Sequence, residues 1–128
     1  MAYTIDRRFT DVSFEEIDRR TRAALTGSGF GVLTEIDVQA TMKKNLDADI
    51  PAYRILGACN PKMAFQALEI EPRVGAMLPC NVIIRQVDGE VEVSAVDPVA
   101  SMAAIENDAL KHVAGHVRKL LSEVIESI

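Results

Sequence analysis

Apolar and polar positions along the chain change period several times, and each change marks a new element. Tyr3 and Ile5, followed imperfectly by Arg7 and Phe9, alternate with polar residues as a half-buried strand does. Ser13-Phe14-Glu15-Glu16 is a capping box, in which the hydroxyl accepts from the third helical amide and Glu16 reaches back to the cap, so a helix is predicted to begin there. Phe14, Ile17, Thr21, Ala24 and Leu25 share one face of it. Glu15 with Arg19, Glu16 with Arg20 and Asp18 with Arg22 form acid-before-base pairs on the side predicted to be solvated. Gly27 or Gly29 ends the helix. Residues 30–36 read as a second strand. Asp37 caps a short helix over 38–46, whose Val38, Met42 and Leu46 recur every four residues beside Lys43 and Lys44.

Pro51 precedes a third strand over 53–59. Asn60 and Pro61 then supply the cap and first position of a helix over 61–71, which stops before Pro72. After an apolar connector at 74–78, residues 80–87 and 90–96 are two strands joined by Asp88-Gly89, the residues a two-residue hairpin turn requires. From Pro98 the pattern becomes helical to the C-terminus. Leu110, Val113, Ala114, Val117, Leu121, Val124, Ile125 and Ile128 keep one amphipathic face, which predicts one long helix closing the sheet. With no linker or repeat, residues 1–128 read as a single α+β domain. Its expected form is a two-layer sandwich with helices packed on a mixed or mostly antiparallel sheet of about five strands. The strand, helix, strand opening suggests a ferredoxin-like plan with one inserted helix.

Composition narrows the function classes. A chain of 128 residues buries roughly two-thirds of its unfolded surface, so it needs no metal, disulfide or cofactor merely to fold. Its net charge is −5 and its basic residues are scattered, which disfavours a nucleic-acid footprint and an anionic membrane surface. The opening residues lack the apolar run of a signal peptide, and no stretch has the roughly 20 apolar residues of a membrane span; a cytoplasmic protein is expected. Two cysteines make no disulfide framework, and a reducing compartment would keep both as thiols.

The candidate chemistry lies in two Cys-Asn dipeptides. Cys59-Asn60 ends one predicted strand and Cys80-Asn81 begins another; if these strands are antiparallel neighbours, two thiols and two carboxamides converge on one rim of the sheet. Burial of cysteine as a small hydrophobe and capping by Asn60 would account for these residues without any function. Alternatively, Cys59 beside a helix N-terminus would have a lowered pKa and favour an anionic ligand. Glu35 and Asp37, with Lys43 and Lys44 following, supply carboxylate and ammonium groups for acid and base work, but any solvated helix end looks the same. His112 and His116 are spaced as a zinc pair but fall opposite the apolar stripe among Lys119 and Glu123, so they are predicted to face solvent. There is no P-loop, GxGxxG, GxSxG or CxxC, and the Gly-rich segment 27–31 follows a helix and enters a strand, the wrong order for a phosphate loop.

Gly29-Phe30-Gly31-Val32-Leu33-Thr34-Glu35-Ile36-Asp37, Tyr53-Arg54-Ile55-Leu56-Gly57-Ala58-Cys59-Asn60-Pro61, the helix carrying Ala64, Ala67 and Leu68, Leu78-Pro79-Cys80-Asn81-Val82, and Val96-Asp97-Pro98 together resemble domain-of-unknown-function family 302, small bacterial and archaeal proteins. The resemblance implies a compact α+β homodimer without an established activity, and it adds weight to Glu35, Lys44, Cys59, Asn60, Cys80 and Asn81 as a ligand site. The leading expectation is a domain binding a small polar or anionic molecule at that rim, with no resident metal or cofactor and no reaction specified. A thiol-dependent redox or metal-handling protein using Cys59 and Cys80 is the alternative. A third reading is an interaction module whose apolar connector at 74–78 is a dimer surface.

Overall fold

The computed structural model of the chain describes residues 2–128. Strand β1 (Thr4–Phe9) leads to helix α1 (Phe14–Gly27), then β2 (Gly31–Asp37), α2 (Val38–Leu46), β3 (Tyr53–Cys59) and α3 (Pro61–Ile70). A 3-10 helix (Pro72–Met77) precedes the hairpin of β4 (Cys80–Val87) and β5 (Glu90–Val96), and α4 (Pro98–Ser101) and α5 (Asp108–Ser127) complete the chain. The local signals explain most of these boundaries. Ser13 Oγ accepts from Glu16 N at 3.1 Å to start α1, and Asp37 Oδ1 accepts from Ala40 N at 2.9 Å to start α2. In the hairpin turn Asp88 and Gly89 have φ of 52° and 76°, the left-handed pair such a turn needs.

All five strands form one antiparallel sheet in the order β1-β5-β4-β3-β2. A ferredoxin-like plan would put the first strand inside the sheet; β1 instead lies at one edge against β5, because α1 carries the chain across the sheet to the opposite edge before β2. The helices cover one face. Leu56 and Ala58 of β3, Val82 and Ile84 of β4, and Val91, Val93 and Ala95 of β5 are buried there against Ile17 and Leu25 of α1 and against the apolar stripe of α5. That stripe, Leu110, Val113, Ala114, Val117, Leu121, Val124 and Ile125, is the one its spacing predicted.

Two expectations are corrected, and two segments pack in ways their sequence left open. The C-terminal region is two helices, because Asn107 starts a new one: its side-chain oxygen accepts from Leu110 N at 3.0 Å. The connector at 74–78 runs through the 3-10 helix, with Val74 fully buried, Leu78 half-buried, and Ala76 and Met77 exposed. Helix α2 has the apolar repeat of a packed helix but no buried residue, and Leu46 is 71% exposed. In α1, Asp18 is only 7% exposed instead of lying on the solvated side. Arg54 from β3 reaches it at 2.9 Å while Arg22 holds its other oxygen at 2.8 Å, so the buried carboxylate has two cationic partners. Glu15 likewise pairs with Arg54, at 3.1 Å, and Glu16 takes both Arg19 and Arg20.

Candidate functional site

Because β3 and β4 are antiparallel neighbours, Ala58 faces Cys80 across the ladder and Gly57 faces Asn81. Side chains alternate along a strand, so this register sends Cys80 to the helix-covered side and Asn81 to the open face. Cys59 is the last residue of β3, where the chain leaves the ladder for α3, and it lines the same cavity as Cys80. Asn60 is at that rim as well, its Oδ1 accepting from Met63 N at 3.3 Å to cap α3. A close approach across the rim accounts for one of the sequence's glycines: Gly29 has φ +84°, and a Cβ there would lie 3.3 Å from Asn60 Nδ2.

The cavity has a volume of about 320 Å³, at the small end of the range for ligand pockets. Its walls come from both layers. Met63, Ala64, Ala67 and Leu68 of α3 form one side and Val113, Ala114 and Val117 of α5 another, with Phe30, Leu33, Leu78, Pro79, Pro98 and Met102 between them. The surface is almost wholly apolar, in contrast to the polar or anionic environment expected from the two carboxamides. Leu33 and Leu68 are 66% and 42% exposed, so apolar side chains continue outward from the wall into solvent. Burial, and then the charge of neighbouring Cys59, push the Cys80 thiol up to about 11, so it is neutral at physiological pH. Both cysteines are free thiols.

Of the six residues singled out from sequence, the fold gathers Cys59, Asn60 and Cys80 and leaves the other three elsewhere. Asn81 borders a shallower and more polar depression on the open face of the sheet, with Tyr53, Ile83, Arg85, Glu92 and Ser94. There Glu92 accepts from Arg8 at 3.1 Å and from Arg85 at 2.9 Å. Glu35 belongs to the ion-pair network over β3, 3.0 Å from Arg22 and 3.5 Å from Arg54. Lys44 is exposed on α2. His112 and His116 are exposed on α5, as their helical angle predicted.

Sequence reasoning passed over Arg54, the centre of that network. Its signal was a charged residue at an inward position of β3, in step with Leu56 and Ala58. Its guanidinium also lies 5.0 Å from the ring centroid of Phe14. Burial opposes ionisation of Asp18, but the hydrogen bonds from Arg22 and Arg54 outweigh it and hold that carboxyl below its usual range. Met63 and Met102 were missed as wall residues because their convergence depends on how α3 and the segment after α4 pack over the strand ends.

Fold and site together define a two-layer α+β domain with one sheet face covered by helices and an apolar cavity where the ends of β3 and β4 meet α3 and α5. Over residues 5–128 the chain matches the family model described as domain of unknown function DUF302, and it belongs to that family. Among solved structures it is similar to an uncharacterized conserved DUF302 protein from Bacillus stearothermophilus, with a TM-score of 0.92 at 24% identity over 99% of this chain and 98% of that one. That likeness speaks for the fold. No curated protein matches the chain. Among the described residues no helix is long and apolar enough to cross a membrane.

Proposed function

We propose that this domain binds a small, mainly apolar molecule in the cavity beneath Cys59 and Cys80. The observation that carries this reading is a preformed cavity of about 320 Å³ with an almost entirely apolar wall. Apolar walls give affinity by removing ligand surface from water, and a few polar groups orient the ligand. Here those groups are Asn60 and the two thiols. The rim anticipated from the Cys-Asn dipeptides is retained as the place of binding, while the ligand class changes from polar or anionic to apolar. Free thiols accord with a reducing compartment such as the cytoplasm.

The test is titration with a neutral, environment-sensitive naphthylamine fluorophore. Wild-type protein is expected to bind one probe per chain, and Ala64→Phe, which fills the cavity from a half-buried position on α3, should weaken binding at least about tenfold, roughly 1.4 kcal/mol. Far-UV circular dichroism and melting check that the variant is folded. Absence of probe binding to wild type, or equal binding by the variant, overturns the reading.

The exposed apolar residues support a homodimer as the working form. Leu33 and Ile36 on edge strand β2 are 66% and 46% exposed, Phe65 on α3 is 66% exposed, and Leu46 at the end of α2 is 71% exposed. Apolar surface of this kind is characteristic of interaction sites. Sedimentation velocity should give a mass twice 14.0 kDa at micromolar concentration; a concentration-independent mass of 14.0 kDa would refute the dimer.

A further inference from the structure

Four of the chain's seven sulfur-bearing residues, Cys59, Met63, Cys80 and Met102, line the same cavity. They come from four places in the chain: the end of β3, α3, the start of β4 and the segment after α4. No carboxylate or imidazole joins them in the wall, and among the described residues no group of three or more His, Cys, Asp or Glu side chains is placed to hold a metal. That donor set is wrong for calcium or magnesium, which require oxygen ligands. It is also two ligands short of a structural zinc site. Thiolate and thioether donors in an apolar cavity match a soft, low-coordinate cation.

The ladder places the two cysteine backbones close together, and both residues line the cavity. Ala58 is the direct partner of Cys80, and Cys59 is one residue further along. Strands about 5 Å apart with a rise of about 3.3 Å per residue put the two cysteine Cα atoms roughly 6 Å apart. Burial first, and the neighbouring Cys59 thiol second, raise the Cys80 pKa, in accord with that proximity. Helix α3 begins at Pro61, two residues beyond Cys59, so the positive end of its dipole lies near any net negative charge formed there.

We propose that the cavity lined by these four residues is a binding site for Cu(I), held by the thiolates of Cys59 and Cys80 with the thioethers of Met63 and Met102 completing its coordination. On binding, two S–H bonds break and two Cu–thiolate bonds form, while the two thioethers add as neutral lone-pair donors. One Cu⁺ and two thiols thus give a dithiolate complex of net charge −1 and two protons released to solvent, with no change of oxidation state. The proposal uses the same cavity as the apolar-ligand reading but rests on different groups, so the two can fail separately.

The reduced full-length protein is titrated anaerobically into the coloured complex of Cu(I) with bicinchoninate. Wild type is expected to withdraw one equivalent of Cu(I) per chain, and X-ray absorption of the product should show sulfur neighbours alone. Cys59→Ala and Cys80→Ala should each lower affinity by at least about 100-fold, and the volume-conserving Met63→Leu and Met102→Leu by about tenfold, in line with the sensitivity of metal sites to lost ligand support. Cys59 is the less buried thiol, so Cys59→Ala decides the matter even if Cys80→Ala does not fold. Failure of wild type to withdraw Cu(I), or unchanged affinity in Cys59→Ala, overturns the proposal. Naphthylamine binding retained by Cys59→Ala, with Cu(I) binding lost, separates this site from the apolar-ligand reading; loss of probe binding alone would overturn only that reading.

Discussion

Gly57 is buried in β3 between Thr34 of β2 and Asn81 of β4, and the structure leaves no room there for a side chain. A Cβ at position 57 would overlap Thr34 Oγ1 and lie 2.8 Å from Pro79 Cγ. Thr34 is exposed and can rotate away, whereas Pro79 is a rigid ring in the cavity wall. Overpacking of this kind costs about 1–3 kcal/mol. Replacing glycine by alanine also restricts the unfolded chain, which offsets about 0.4–1 kcal/mol. Gly57→Ala is therefore expected to destabilise the protein by about 1–2 kcal/mol, lowering the melting temperature by roughly 4–8 °C for a domain of this size. Urea unfolding followed by far-UV circular dichroism measures the change, with an unchanged slope showing that the loss is one of stability. Thr34→Ala removes the nearer obstruction, so the double variant should recover part of the loss, and the remainder reports the contact with Pro79. Since Pro79 must shift, naphthylamine binding should weaken as well. Gly57→Ala as stable as wild type, or a double variant no better than Gly57→Ala, would refute the close approach of these strands.

Three further outcomes follow from the packing and the charges. Leu121 on α5 is fully buried against the sheet, so Leu121→Ala should cost about 2–5 kcal/mol in urea unfolding; an unchanged midpoint would place the buried face of α5 elsewhere. Asp18 is held below its usual 3.8 in the fold, so its contribution to stability is complete above that pH and disappears as the pH falls through the lower folded value. Thermal melts should therefore show wild type losing stability below about pH 4, and Asp18→Asn, less stable at pH 7, should lose less over the same interval; parallel curves would show that the carboxylate is not linked to folding. Cys80, with its thiol pushed up to about 11, should be alkylated slowly at neutral pH and progressively faster toward that value, with half-buried Cys59 modified first. Rapid modification of Cys80 near pH 7 would contradict its burial.

Elements whose cause is local were legible in the amino-acid order. Ser13, Asp37 and Asn60 cap their helices because a side-chain oxygen three residues before an amide satisfies it whatever lies beyond. Asp88-Gly89 turns the hairpin because its backbone tolerates the required φ, and the 3.6-residue stripe of α5 marks its buried face. The family resemblance carried by the segments around Cys59 and Cys80 is likewise in the sequence and is matched over residues 5–128. The strand order, the depth of Asp18 and the cavity depend on which distant segments meet. No local rule places β1 against β5, brings Arg54 over to α1 or leaves Leu46 at the end of α2 exposed. Cys80 and Asn81 illustrate the division most directly: the sequence makes them neighbours, but the pairing of β4 with β3 sends one toward Cys59 and the other to the opposite face. A strand's alternation separates adjacent residues onto two faces, and only the packed sheet and helices decide which of those faces encloses a cavity.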